Sequence, residues 1–172
     1  MGYNLIKNIA PYFKQLKFVN GMDKFPPKIR SEIMKRVKSN NNSPEIAIRK
    51  FLFNKGLRYR INDKDIFGTP DLFLKKYNAV IFYNGCFWHN HGCVLSKIPR
   101  TNTSYWINKL ENNKERDKRN IEQLKKIGFR ILIIWRCSHV GKNKTSLDQI
   151  LNQIYSWILS DSTYKEIQPP FV

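Results

Sequence analysis

Acidic residues are scarce in this chain. Thirteen Asp and Glu stand against thirty-one Lys and Arg, giving a formal charge of +18 and a pI near 10.0. A field of that strength favours a polyanionic partner, because each phosphate neutralised releases condensed counterions. Nucleic acid comes first among such partners, with an anionic membrane surface or a ribosomal setting as alternatives. Cysteine is also scarce, at three. An odd count does not make a disulfide framework and fits a reducing, cytoplasmic setting. Long apolar runs are lacking: nothing approaches the ~20 residues that span a bilayer, so no membrane-spanning segment is expected and a membrane is not the expected partner. The first twenty residues carry Lys7, Pro11, Lys14 and Lys17 and have no uninterrupted apolar centre, unlike a signal peptide. "MGYNLI" lacks the Ser or Thr of a myristoylation site. No internal repeat or low-complexity tract is present.

The 172 residues, 41% hydrophobic and 13% aromatic, suffice for one domain with a packed core. Residues 1–24 read as an N-terminal extension of uncertain structure, 25–160 as the domain, and 161–172 as a C-terminal tail. A short basic helix is expected near "KIRSEIMKRVKS". A helix follows in "NSPEIAIRKFLFNKG", with Ser43 as cap, Pro44 in the first turn and Gly56 at the end. Three short strands are expected at "LRYRI", "DLFLKK" and "AVIFYN", separated by turn-rich "NDKDIFGTP" and by Asn78. A long polar helix should run from about Thr103 to Ile127 with Gly128 as its stop. "FRILIIW" fits a strand buried on both faces. "TSLDQILNQIYSWILS" puts Leu147, Leu151, Ile154 and Ile158 on one helical stripe. The order predicts an α/β fold, a central mixed β-sheet flanked by helices, with one crossover connection.

Chemistry concentrates in "GCFWHNHGC", Gly85 to Cys93. Cys86, His91 and Cys93 lie in one loop, and Cys137 follows the buried strand that ends at Trp135. Three thiols and one imidazole match a closed tetrahedral zinc site, structural because four protein ligands leave no open position. The alternatives are ordinary buried thiols or a Cys86–Cys93 disulfide.

A second centre gathers around "GTPD", where Asp71 opens a strand that is followed at once by "AVIFYN". Asp at a strand entrance also serves simply as a turn residue. Nucleases of the PD-(D/E)XK type use a similar hairpin to hold Mg2+ at the scissile phosphate, since a hard divalent ion needs anionic oxygen ligands. Here Phe82-Tyr83 occupies the place of Glu-x-Lys, so either that likeness fails or another group supplies the base. His89, left over once zinc takes His91, titrates near neutral pH as a general base should. Asp117 in "ERDKRN" could orient it, or could only pair with Arg116 or Lys118 on a solvated helix face.

"GTPDLF", "IFYNGCFWHNHGC", "ERD" and "ILIIWRC", in order and spacing from about Met22 to Trp157, resemble the very-short-patch repair (Vsr) DNA mismatch endonucleases. That family is similar in fold to restriction endonucleases, and its members nick one strand of a duplex beside a T:G mismatch. The resemblance implies that Asp71 and the backbone carbonyl of Tyr83 bind Mg2+, that His89 is the base and that Asp117 steadies it. It implies that Glu45 hydrogen-bonds water on the metal, and that Cys86, His91, Cys93 and Cys137 hold Zn2+. Asn84 departs from the family pattern, which has a second active-site histidine there, and an amide cannot accept a proton at neutral pH. Phe87 and Trp88 match aromatics that wedge between base pairs, where a mismatch has already weakened stacking. Trp106 is similar to a third wedge, or is a core aromatic under the long helix. Met34 matches a residue entering from the opposite groove. Arg30, Lys35, Arg36 and Lys38 make a phosphate-contacting helix face. Lys109 and Asn113 match positions near the mismatched bases, or sit on a solvated face. The expected partner is double-stranded DNA with a mismatch, bound by a monomer, with a functional link to a DNA methyltransferase or repair proteins. The alternative reading is a zinc-stabilised DNA-binding protein without nuclease activity, or a related nuclease with another DNA target.

Overall fold

The structure, a computed structural model, describes Lys28, Ile29, Glu32, residues 42–141 and residues 144–169. Met34, Arg30, Lys35, Arg36, Lys38 and the extension 1–24 lie outside the described residues. Lys28, Ile29 and Glu32 are helical, within the segment expected to form a basic helix.

Helix α1 spans Ser43–Asn54. Its cap is Asn42 rather than Ser43: the Asn42 side chain accepts from the Glu45 amide at 3.1 Å. Asn outranks Ser only narrowly as a cap, so the shift by one residue is a matter of which side chain reaches the free amide. Gly56, at φ 79°, takes the left-handed turn that ends the helix. The buried stripe of α1 is Glu45, Ile48 and Leu52, so a carboxylate occupies a position the helical period reserves for an apolar residue.

Strands β1 (Arg60–Ile61), β2 (Leu72–Leu74) and β3 (Ala79–Asn84) form an antiparallel meander. Helix α2 (Thr103–Lys126) returns the chain so that β4 (Arg130–Trp135) pairs parallel with β3, and Gly128, at φ 83°, makes the stop. Helix α3 (Leu147–Leu159) starts from a capping box in which Ser146 and Gln149 satisfy each other's amides. A fifth strand, β5 (Tyr164–Ile167), then pairs parallel with β4. The five strands lie in sequence order across one mixed sheet.

Two features correct the expectation. Residues 164–167, read as tail, complete the sheet, and there are two crossovers instead of one. "YKEI" has a single buried residue, Ile167, so its strand character rests on pairing with β4 and not on any apolar pattern.

Alternation along β3 and β4 sorts the core into two layers. Ala79, Ile81, Leu132 and Ile134 pack with Ile48 and Leu52 of α1 and with Ile150, Ile154 and Trp157 of α3. Val80, Ile131, Ile133 and Trp135 pack with Leu124 of α2. The same alternation decides the site: Tyr83 points its ring to the α1 layer, while Phe82 joins the α2 layer. No helix among the described residues is long and apolar enough to cross a membrane.

Candidate active site and metal cluster

Strand register explains why distant cysteines meet. Asn84 pairs with Trp135 at the ends of the parallel strands β3 and β4, and the second residue beyond each is a cysteine, Cys86 and Cys137. The loop after β3 folds back to add His91 and Cys93, through His91 N–H to the Cys86 carbonyl at 3.0 Å and a left-handed Gly92. Ligand atoms of Cys86, His91, Cys93 and Cys137 all lie within 4.8 Å of one another, and none of the thiols is in a disulfide. Tetrahedral zinc–thiolate geometry separates sulfurs by ~3.8 Å, so this donor set fits the ion. Burial pushes the Cys86 and Cys137 thiols up. Burial opposes ionisation of Cys93 too, yet its interactions with His91, the Leu95 amide and the other thiols bring it down to about 7. Three crowded sulfurs cannot all ionise without a cation among them, and a dication would offset that cost.

The turn before Asp71 is strained in a useful place. Thr69, β-branched, sits at φ 49°, a conformation that costs ~1–3 kcal/mol and is retained only where surroundings enforce it. Gly68, at φ 78°, lies so close to α2 that a Cβ would come within 3.3 Å of Asn120 and Phe82. The turn thereby delivers Asp71 to the edge of β3, where its Oδ2 accepts from the Tyr83 amide at 2.7 Å. Glu45, Arg49, Asp71, Ile81 and Tyr83 line one narrow cleft. Glu45 is 2% exposed and accepts from Arg49 at 3.3 Å and from Asn42. Burial raises the Asp71 pKa, against the Tyr83 amide and the Arg49 charge, which lower it. A half-buried carboxylate held above its ordinary value is a group that a hard cation would relieve, so this donor set fits Mg2+.

Across β3, a second cleft is lined by Asn84, His89, Arg116, Asp117 and Asn120, with Gly68 and Thr69 at its rim. His89 Nδ1 and Asp117 Oδ2 are 2.6 Å apart. Because a carboxylate only accepts, Nδ1 carries the proton and Nε2 is the basic atom. Asp117 pairs with Arg116 as well as with His89: its Oδ1 accepts from Arg116 Nη2 at 2.7 Å and Nε at 3.1 Å. Burial works against the Asp117 charge, but the His89 and Arg116 hydrogen bonds prevail and hold its pKa below the ordinary value. Asp71 and His89 thus line separate, neighbouring clefts, and the His89 charge lowers the Asp71 pKa.

An aromatic group joins the Cys/His loop to α2. Phe87 lies 5.0 Å from Trp88 and 5.2 Å from Trp106, ring centre to ring centre. Trp106 is half-buried against the loop rather than in the core. Lys109 Nζ sits within 5.9 Å of the rings of Trp88 and Trp106. Asn113 donates to the Trp88 carbonyl at 3.0 Å, so it holds the loop instead of facing solvent.

Residues 22–95 match the family model described as DNA mismatch endonuclease Vsr. The chain is 43% identical over 132 residues to the Type II nicking enzyme V.NmeAIP of Neisseria meningitidis serogroup A, which covers 77% of this chain and 93% of that protein. It is 35% identical over 138 residues to the DNA mismatch endonuclease Vsr of Escherichia coli, 80% of this chain and 88% of the other. This chain belongs to the Vsr family. A further relative, the Type II nicking enzyme V.XorIIP of Xanthomonas oryzae, is 38% identical over 132 residues, 76% of this chain and 97% of its own.

The Vsr family match spans Glu45, Asp71, Asn84, His89, Cys86, His91 and Cys93, whereas Asp117 and Cys137 lie beyond it and reach the site through α2 and the end of β4. Other Vsr-chain residues at these clefts went unnoticed in the sequence. Arg49 is one of two adjacent basic residues on α1, and Asn120 is one polar residue among many on α2. His139 lines neither cleft: two residues past Cys137, its Nε2 lies 3.0 Å from the Tyr83 hydroxyl. Burial, then the Arg136 charge, lowers its pKa.

Proposed function

We propose that this chain is a Mg2+-dependent endonuclease that nicks one strand of duplex DNA at T:G mismatches, acting as a monomer with a structural zinc ion. Family membership makes it a DNA endonuclease; the metal, mismatch and residue roles are the proposal. The observation that carries it is the His89–Asp117 pair, 2.6 Å apart, which joins the loop bearing Phe87 and Trp88 to α2.

In this reading Asp71 and the Tyr83 carbonyl hold Mg2+, with Glu45 beside them, and the ion supplies neutralisation of charge on the scissile phosphate. His89 Nε2 takes the proton of the attacking water, and Asp117 fixes the tautomer and steadies the imidazolium that forms. Asn84 lines the His89 cleft as a hydrogen-bonding group toward phosphate or water, leaving a single imidazole for proton transfer. Phe87, Trp88 and Trp106 enter the stack beside the mismatch, where unstacking costs least, and Lys109 contacts the backbone next to them. Cys86, His91, Cys93 and Cys137 hold zinc, which ties the wedge-bearing loop to the ends of β3 and β4.

End-labelled duplexes carrying T:G, other mismatches or perfect pairing test this directly, with Mg2+ and then with EDTA. The expected result is one cut strand beside T:G, only with the metal, and no cutting by Asp71→Ala with zinc content unchanged. Cutting that ignores the mismatch would move the reading to a nuclease with another target, and full activity in Asp71→Ala would overturn it.

A further inference from the structure

The strand that follows the last helix reaches the metal cluster. Gln168, just past β5, has its Oε1 2.7 Å from His91 Nε2. An amide oxygen only accepts, so Nε2 carries the proton and Nδ1 holds the free lone pair of the neutral ring, the one a metal ion would take. Nδ1 is the atom that lies 3.5 Å from Cys137 Sγ, inside the cluster. The plane of the same ring is set from behind: His91 stacks on Trp135 at 4.0 Å and 22°. Trp135 is in turn tethered to β5, its Nε1 donating to Glu166 Oε2 at 2.6 Å. Tyr164 donates its hydroxyl to the other Glu166 oxygen, and Lys125 Nζ lies 4.1 Å over the Tyr164 ring. Tyr164, Glu166 and Gln168 are alternate residues, so the pleat turns them to one side of the sheet.

We infer that Gln168, with Glu166 acting through Trp135, is a positioning residue that fixes His91 as an Nδ1 ligand, making β5 part of the metal centre. This rests on the zinc reading above. The partner of a ligand's remote nitrogen holds its tautomer, its ring orientation and its basicity. Loss of such a partner typically weakens metal binding ~10–100-fold.

The test uses the full chain purified with zinc. Metal content and the rate of zinc release to a colorimetric chelator are measured for wild type, Gln168→Ala, Gln168→Glu and Glu166→Gln. Gln168→Ala should release zinc ~10–100-fold faster, and Gln168→Glu, which can still accept the proton, should return toward wild type. Far-UV circular dichroism and melting in saturating zinc should be unchanged across the set. A 15N spectrum should show the His91 Nε2–H signal in wild type and its loss by exchange in Gln168→Ala. Zinc release at the wild-type rate in Gln168→Ala, or failure of Gln168→Glu to rescue, overturns this inference alone. A wild-type chain that binds no zinc overturns the zinc reading and this inference with it.

Discussion

Asp117 divides its two oxygens between an imidazole and a guanidinium, and both partners favour its charged form. A carboxylate whose folded pKa is lowered contributes stability above its ordinary value and loses it as pH falls through the folded value. Asp117→Asn should therefore lower the melting temperature most at neutral pH, leave low pH least affected, and so flatten the acid limb of the melting curve against pH. His89→Ala should slow nicking by ~100–10,000-fold, the usual range for loss of a general base, with DNA affinity retained, as single-turnover rates and binding isotherms would report. Asp71 has the opposite sign. Burial raises its folded pKa, so its charge costs stability once pH passes the folded value and costs nothing below the ordinary carboxylate range. Asp71→Asn should raise the melting temperature of the Mg2+-free chain at neutral pH while abolishing nicking, and Mg2+ should stabilise wild type more than the variant. Equal Mg2+ shifts in calorimetry would place the ion elsewhere. Asp71 and His89 were legible as residue types in a known pattern; the sharing of Asp117 was not, because its alternatives differ only in side-chain direction.

Each helix carries a face whose composition decides how well its role could be read. On α3 the buried stripe is wholly apolar: the sequence period predicts Leu151, Ile154 and Ile158, while Ile150 and Trp157 widen it and Leu147 at its start is only partly buried. Along α2 the sheltered positions are Trp106, Leu110, Asn113, Asp117, Asn120, Ile121 and Leu124. That stripe is apolar at both ends and polar in the middle, where the His89 cleft lies, so it reads as a solvated face in one dimension. On α1 the stripe joins Glu45 to Ile48 and Leu52, with Leu52 at 0% exposure against the sheet. Leu52→Ala should cost ~2–5 kcal/mol by chemical denaturation, through lost burial and the cavity left behind. Because α1 carries Glu45, nicking in that variant should fall before global unfolding does. For β5 the reverse holds: three of its four residues are not buried, so no apolar period announces a strand that the sheet edge creates by pairing.

Over the whole molecule, thirty-one basic residues against thirteen acidic ones make affinity for DNA a salt-dependent quantity. If six to ten phosphates are neutralised, affinity should drop ~10³–10⁵-fold between 50 and 200 mM salt. Fluorescence anisotropy on matched and T:G duplexes would give the slope, which the two should share if the mismatch is read by the aromatic wedges rather than by added phosphate contacts. The Cys/His cluster is where chain topology and site chemistry meet. Parallel pairing of β3 with β4 sets Cys86 and Cys137 at the same end of the sheet, although α2 separates them in the chain.

Composition and local order by themselves determined the class of partner, the helices and inner strands, and the residue types of both centres, since charge, periodicity and ligand chemistry are properties of short stretches. Only the tertiary structure decided which faces of β3 Tyr83 and Asn84 serve, that Asp117 holds His89 and Arg116 together, and that a polar C-terminal strand closes on His91. Those outcomes depend on register and on the direction of single side chains across the sheet, and long-range pairing fixes both.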